Sequence, residues 1–232
     1  MSIESSNTQL STQELEVLAG IMRYAEVHSD QRVKNKQLAE LLKMPPSVIS
    51  KVMDILREKG YVEYSEYKGV SLTKEGEKAA ALYLRKHRLL ESFLVKVMGM
   101  NLSEAHEEAS ELVKVVSDTF ISRIESLLND TQCDPHGNII PAKDGKFVKL
   151  DDIPLCSLSP GEHAVVTRIP LEKKELLEKF GGLGLVPNTE IVVKCVSLGG
   201  AMIVKLGETE VALDLDTASK IRVKRRDVQH GE

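Results

Sequence analysis

The sequence predicts an α+β chain of three modules: short helices closed by a β-hairpin, a region of long helices, and a small C-terminal β-barrel. Three observations predict this fold class. Apolar residues recur at helical spacing as far as residue 128. A segment rich in β-branched and aromatic residues interrupts them at 61–72, and short strand-like segments joined by glycines follow residue 155.

The composition is that of an ordinary globular chain, with 42% hydrophobic and 28% charged residues, which excludes a disordered polyelectrolyte. No apolar run reaches the roughly 18 residues of a membrane span, and the first residues lack a signal-peptide pattern. We therefore expect a cytoplasmic protein without a membrane partner. Cys133, Cys156 and Cys195 are too unevenly spaced for a disulfide framework or a CxxC metal site.

The first helices are closely spaced along the chain. Ser11 or Thr12 caps the first of them, and the prolines after Met44 end the second and begin the third. Their predicted ranges are 12–28, 35–43 and 46–59. With the hairpin at 61–72, this order is typical of a winged helix-turn-helix, and 46–59 is then the recognition helix.

Local charge supports this interpretation. The chain has a net charge of −4, yet residues 32–59 hold seven basic and three acidic side chains. Such a cluster indicates either a solvated helix face or a surface for phosphates, and the predicted fold favours the second. A helical hairpin without a DNA role is the alternative. The residues expected to face DNA are Lys36, Ser47, Ser50 and Lys51.

Three longer helices follow, predicted at 73–98, 104–116 and 117–128, with Gly99 and Ser103 at the first break and Ser117 as a later N-cap. Their apolar faces exceed what one short helix stack can bury, which predicts a homodimer interface. Beyond a linker at 143–154, five strands and one small helix at 173–180 predict a small β-barrel. The strands are expected at 164–169, 190–195, 201–205, 210–213 and 220–223.

The chain resembles the diphtheria-toxin-repressor family of iron- and manganese-dependent regulators. The resemblance covers nearly the whole sequence and implies a winged helix-turn-helix domain (1–75), a helical dimerisation and metal-binding domain (76–142), the linker, and an SH3-like, FeoA-like domain (155–226). The matching segments are 72–76 (LTKEG), 85–94 (RKHRLLESFL), 134–138 (DPHGN), 158–162 (LSPGE) and 185–187 (LVP).

The resemblance implies a homodimer that binds a double-stranded DNA operator under the control of a divalent metal. His87 and Glu91 are four residues apart on one helix face, and His106 matches a third ligand of the family's ancillary site. His136 is an additional candidate. Two imidazoles and a carboxylate suit Fe(II), Mn(II) or Zn(II). Glu172 and Glu175, where relatives add polar ligands, are candidates too, although exposed glutamates at a helix start explain the pair better.

The family's other, regulatory site is altered here. Its positions correspond to Leu18, Ser110, Val113 and Lys114, none of which is a usual strong metal ligand. We therefore expect no metal at this second site. Three interpretations stay open: the ancillary site is the sole sensor, the Lys114 ammonium takes the place of the metal, or oxidation of Cys133 supplies another signal.

Two other functions compete with a transcription regulator. A ferrous-iron transport accessory protein or metallochaperone would use the FeoA-like domain, but it has no need of a recognition helix. An enzyme acting on a small-molecule substrate is not expected, since the sequence has no Ser-His-Asp arrangement, no paired carboxylates at a plausible spacing and no nucleotide-binding loop. The Gly-rich run at 181–184 follows a helix and lacks the Lys-Ser/Thr ending.

Overall fold

The computed structural model describes residues 9–28, 32–65, 68–169, 174–197 and 199–226. The chain divides into two compact units. Unit 1 comprises Met1–Arg85 with Pro141–Phe147, and unit 2 comprises Lys86–Ile140 with Val148–Glu232. Among the described helices, none is long and apolar enough to cross a bilayer.

Unit 1 contains the predicted helices and hairpin. The elements are α1 (Thr12–Val27), α2 (Asn35–Leu42), α3 (Pro46–Glu58), β1 (Val62–Ser65), β2 (Gly69–Leu72) and the first part of α4 (Lys74–Lys96). Ser11, rather than Thr12, is the N-cap of α1, because its side chain accepts from the Glu14 N–H while the Glu14 carboxylate accepts from the Ser11 N–H. Pro46 occupies the first turn of α3, as predicted.

The core of unit 1 comes from the apolar faces of these helices. Helix α3 buries Ile49, Val52, Met53 and Leu56, the set that the helical spacing predicted. The hairpin is antiparallel, and an isolated bridge between Val33 and Val70 ties it to the segment before α2. Burial of each large aliphatic side chain contributes about 1.5–3 kcal/mol to folding. The result is a winged helix-turn-helix with the opposite face of α3 left exposed.

The segment Pro141–Phe147 packs on unit 1, although it follows the helices of unit 2 in sequence. Arg85 donates a hydrogen bond of 2.6 Å to the carbonyl of Pro141. Gly145, at φ +83°, lies so close to Lys78 that an added Cβ would be 2.8 Å from the lysine Cγ. Phe147 is half-buried against the unit 1 core. The predicted linker at 143–154 thus begins with residues that have fixed contacts.

Unit 2 begins with the rest of α4, followed by α5 (Leu102–Leu112) and α6 (Asp118–Leu127). The predicted cap at Ser103 is wrong: Asn101 is the N-cap, its side chain accepting from the Glu104 N–H, and Ser103 lies buried in the first turn. Asparagine caps as well as serine does, so the helix starts earlier than predicted. Ser117 does cap α6 as expected.

Large apolar side chains remain exposed on these helices and their connections. They are Val97, Met98, Val115, Phe120 and Leu127, and we call them the apolar surface of unit 2. The exposed fraction of these side chains runs from 49% for Phe120 to 80% for Val115. Phe120 and Leu127 lie on α6, and the other three lie in the connections on either side of α5. Several exposed large apolar side chains in one short segment are typical of a protein–protein contact.

The C-terminal part of unit 2 is a six-stranded antiparallel sheet of order β3-β8-β4-β5-β6-β7. The register shifts within the β4–β8 and β5–β6 pairs, as at a β-bulge. The predicted strands are all present, but the two-residue β3 and the short α8 were missed. The elements are β3 (Ile153–Pro154), β4 (His163–Arg168), α7 (Lys174–Gly182), β5 (Glu190–Val196), β6 (Ala201–Leu206), β7 (Thr209–Asp214), α8 (Leu215–Lys220) and β8 (Arg222–Arg225).

A buried ion network joins the residue before β3 to the end of β4 and the start of β8. Asp152 accepts hydrogen bonds from Arg168 on β4, Arg222 on β8 and the hydroxyl of Thr167. Burial raises the pKa of the Asp152 carboxyl, but the guanidinium groups of Arg168 and Arg222 have a larger, opposite effect. The pKa of Asp152 therefore lies below its usual value. The network fixes the end of the predicted linker to the sheet.

Candidate metal centre and recognition helix

Helices α4 and α5 bring the three predicted metal ligands together in unit 2. His87 and Glu91 lie one turn apart on the buried face of α4, and His106 lies on α5. His106 Nδ1 is 2.6 Å from Glu91 Oε1, and His87 Nδ1 is 3.5 Å from Glu91 Oε2. One ligand atom from each residue lies within 4.8 Å of the others. We call these three residues the Glu91 cluster.

His136 lies at the edge of the Glu91 cluster. Its Nε2 is 3.5 Å from Glu91 Oε1, and its ring is perpendicular to that of His106. The backbone fixes this position: the His136 N–H donates to Asp134, and the His136 carbonyl accepts from the Ile169 N–H. The next residue, Gly137, has φ +88°, and a Cβ there would lie 2.0 Å from the Thr167 carbonyl oxygen.

The electrostatics of the cluster favour a charged carboxylate. Burial raises the pKa of Glu91, but the charge of His87 and the hydrogen bonds from His106 and His136 lower it well below its usual value. Burial lowers the pKa of His136, yet Glu91 and Asp134 raise it above its usual value. The buried Glu91 carboxylate therefore faces the imidazoles of His87, His106 and His136. An imidazole nitrogen can donate a proton to this carboxylate or, without the proton, a lone pair to a metal.

A supporting pair lies behind the cluster and was not identified from the sequence. Arg88 Nε is 3.6 Å from Asp134 Oδ2, and Arg88 also donates to the carbonyl of Ile139. Asp134 accepts from the backbone of Asn138 as well as from that of His136. The pair thus holds the loop that carries His136. In sequence, the residues beside a predicted ligand gave no sign of this role.

The donor set fits a divalent transition metal. Two imidazoles and a carboxylate whose ligand atoms lie within 4.8 Å of one another suit Fe(II), Mn(II) or Zn(II). His87 and Glu91 are buried, and His106 is half-buried. Glu175 is exposed in the first turn of α7 and is not among the residues of this set. Glu172 lies outside the described residues.

The residues of the predicted altered site do not form a donor set. Leu18 is completely buried in the core of unit 1, and Val113 is buried in unit 2. Lys114 Nζ lies 2.8 Å from Glu111 at the end of α5. Ser110 contacts the Glu91 cluster instead, with its Oγ 3.1 Å from His87 Nε2. That these residues bind no metal stays an expectation, which rests on their side-chain chemistry.

The surroundings of Cys133 disfavour a redox role. Burial and the charge of Asp134 raise the pKa of the thiol, so that little thiolate is present at neutral pH. The residue is half-buried and its backbone forms a bridge with Ile139. A reactive cysteine requires the opposite environment.

The predicted DNA-facing residues all lie on the exposed side of unit 1. Lys36 is on α2, and Ser47, Ser50 and Lys51 are on α3, each exposed. On the hairpin, the Tyr64 ring lies under the guanidinium of Arg57 at 5.6 Å, and the Tyr64 hydroxyl hydrogen-bonds to the side-chain amide of Asn35. Tyr64 thus connects the hairpin to both helices, a contact that the sequence did not reveal.

Three sequence families match the chain in succession. Residues 9–70 match the iron dependent repressor N-terminal DNA binding domain, residues 73–142 the iron dependent repressor metal binding and dimerisation domain, and residues 153–225 the FeoA domain.

Individual relatives agree with these matches. The iron-dependent repressor IdeR of Mycobacterium tuberculosis is 29% identical over 205 residues, which are 82% of this chain and 87% of the relative. An uncharacterised HTH-type transcriptional regulator of Methanocaldococcus jannaschii is 36% identical over 93 residues, 40% of this chain and 74% of the relative. The solved structure of a manganese-dependent transcriptional repressor in complex with manganese superimposes with a TM-score of 0.85 at 31% identity, covering 92% of this chain and all of that one.

Proposed function

The chain belongs to the iron-dependent repressor family, and from this premise we propose that it is a metal-dependent transcriptional repressor of metal-homeostasis genes. The observation that carries the proposal is that the single helix α4 extends from the hairpin to the candidate metal ligands. This helix begins directly after the hairpin of the DNA-binding module and carries His87 and Glu91 thirteen and seventeen residues later. One element therefore belongs both to the module that would bind DNA and to the candidate metal centre.

DNA binding is assigned to helix α3 and the residues around it. Exposed Lys36 and Lys51 supply positive charge to phosphates or base edges, and Ser47 and Ser50 supply hydroxyl groups at the N-terminal end of the helix. In this fold the second helix of the motif enters the major groove. The partner is double-stranded DNA, and we place the protein in the cytoplasm with it.

A homodimer is part of this proposal. The apolar surface of unit 2 lies on α6 and on the α4–α5 and α5–α6 connections, within the segment that matches the dimerisation domain. Two copies of a winged helix-turn-helix would contact two half-sites of one operator. A second copy of this chain would cover the exposed Val97, Phe120 and Leu127.

The metal would be held by His87, Glu91 and His106, with His136 as a further candidate. A bound divalent cation would supply a positive charge that fixes α5 to α4 through the Glu91 cluster. Glu91 would provide the negatively charged ligand, and the imidazoles of His87 and His106 on either side of it would provide neutral nitrogen ligands. Fe(II), Mn(II) and Zn(II) all suit this donor set.

Binding to labelled duplexes tests the proposal. We expect the protein to prefer DNA from upstream of its own gene over a scrambled duplex of equal composition, measured by fluorescence anisotropy at fixed salt. Lys51→Ala should weaken this binding by about 1–3 kcal/mol if the lysine reads a base edge. Lys194→Ala, an exposed lysine of β5, is the matched control. Equal affinity of the parent protein for both duplexes would contradict the proposal.

The ferrous-iron transport or metallochaperone alternative is not favoured. The FeoA match covers residues 153–225, but residues 9–70 match a DNA-binding domain that such a protein does not need. The matched relatives are named as repressors and regulators, not as enzymes.

A further inference from the structure

Ser110 contacts the Glu91 cluster directly, although the resemblance placed it only among the residues of the altered site. Its Oγ is 2.9 Å from the carbonyl oxygen of His106, on the preceding turn of α5. The same oxygen is 3.1 Å from Nε2 of His87 on α4. The serine therefore lies between two of the three candidate ligands.

The number of available protons determines the direction of these two hydrogen bonds. A hydroxyl group has one hydrogen, and a carbonyl oxygen only accepts, so Ser110 donates to His106. The contact with His87 then requires the imidazole Nε2–H to donate to Ser110 Oγ. In the neutral ring, the lone pair is consequently on Nδ1, the atom that faces Glu91 at 3.5 Å.

We propose that Ser110 is a positioning residue of the metal site: by accepting the Nε2–H of His87, it holds this imidazole with Nδ1 directed into the Glu91 cluster. Histidines that bind metals commonly donate their second ring nitrogen to a fixed acceptor, which selects the tautomer and the ring orientation. The inference rests on the proposed metal site. It gives Ser110 a role that Leu18, Val113 and Lys114 do not share.

Zn(II) competition against a chromophoric chelator measures the effect. We expect Ser110→Ala to bind Zn(II) about ten- to hundredfold more weakly than the parent protein, which is the usual cost of removing such a partner. Ser110→Thr keeps the hydroxyl and should restore the affinity. Ser122→Ala is the matched control, because Ser122 makes the same hydrogen bond to the carbonyl four residues earlier but lies exposed on α6.

A second measurement uses the metal-free protein. Nitrogen-15 spectra of the histidine rings at mildly alkaline pH should show His87 protonated at Nε2 in the parent protein and a mixture of tautomers in Ser110→Ala. Unfolding curves of each variant show whether the fold is kept.

The outcomes are distinguishable. Parent affinity in Ser110→Ala, or a His87 in the parent protein whose Nε2 carries no proton, overturns the role of Ser110 alone. A parent protein that binds no Zn(II), Mn(II) or Fe(II) overturns the proposed metal site itself, and with it the role of Ser110.

Discussion

The carboxylate of Asp152 and the guanidinium of Arg168 form a buried two-point contact, with both nitrogen–oxygen distances at 2.7 Å. Arg222 binds the same carboxylate from β8. Two buried arginines thus share one carboxylate. Neutralising Asp152 would remove the same negative charge from both buried guanidinium groups.

Asp152→Asn should therefore destabilise unit 2 by about 3–5 kcal/mol, measured by urea unfolding. Since the pKa of Asp152 is lowered in the folded protein, its charge contributes stability above the unfolded pKa of about 3.9, and this contribution is lost as the pH falls through the folded value. Asp151→Asn, at the exposed neighbouring carboxylate, is the control and should change little. Equal unfolding curves for both variants would show that the network is not stabilising.

Phe147→Ala tests the contact of the segment Pro141–Phe147 with unit 1. The half-buried ring packs on the unit 1 core, so its loss should cost about 1–2 kcal/mol and increase hydrogen exchange in α1 and α3. Val148→Ala changes the exposed neighbour and should leave the exchange as it is. If both variants exchange alike, the segment does not stabilise the DNA-binding module.

Replacing His87 and His106 together by alanine should abolish metal binding, because two of the three donors disappear. The parent protein should hold one ion per subunit, measured by elemental analysis after dialysis. His163→Ala removes an exposed imidazole of β4 and should keep the metal. Equal metal content in the double variant, or two ions per subunit in the parent protein, would contradict the assignment.

Phe120→Asp and Leu127→Lys should convert the proposed dimer to a monomer, measured by light scattering at micromolar concentration. Both place a charge on the apolar surface of unit 2 without opposing the dipole of α6, since Phe120 is in its first turn and Leu127 in its last. Leu215→Asp changes an exposed leucine at the start of α8 and is the control. A parent protein that is already monomeric would exclude this interface.

Val113→Glu combined with Lys114→His introduces two ligand types that the family uses at the second site. We expect operator binding to respond more strongly to Mn(II) or Fe(II), because Val113 is a buried aliphatic residue and Lys114 pairs with Glu111 in the parent protein, and neither side chain is a usual metal ligand. DNA affinity is measured across a chelator and metal titration. Complete loss of specific binding by the chelated parent protein would show instead that the Glu91 cluster is the sole switch.

Periodicity predicted the elements that bury a regular apolar face. The spacing of Ile49, Met53 and Leu56 is enough to define α3, and the i, i+4 pair of His87 and Glu91 places two donors on one side of α4. Elements too short to show a period were missed, such as the two residues of β3. The position of a helix start also depended on which of two good capping residues was used, Asn101 or Ser103.

Sequence patterns did not predict contacts between residues that are distant in sequence. In the sequence, Ser110 is recognisable only as one of the residues at the altered metal site. Its contact with His87 depends on the packing of α5 on α4. Asp152 reads as a polar linker residue, yet its partners follow it by 16 and 70 positions. Buried polar groups of this kind are specified by tertiary geometry rather than by local propensity.

The backbone conformation of Gly137 determines where the preceding residue, His136, lies relative to the proposed metal site. Any other residue there would place its Cβ 2.0 Å from the Thr167 carbonyl, in a backbone conformation that L-amino acids rarely adopt. The loop would have to withdraw from β4 and take the imidazole with it. A genetic screen for derepressed mutants should therefore recover substitutions at this glycine, a residue that has no ligand atom of its own, beside substitutions at the histidines.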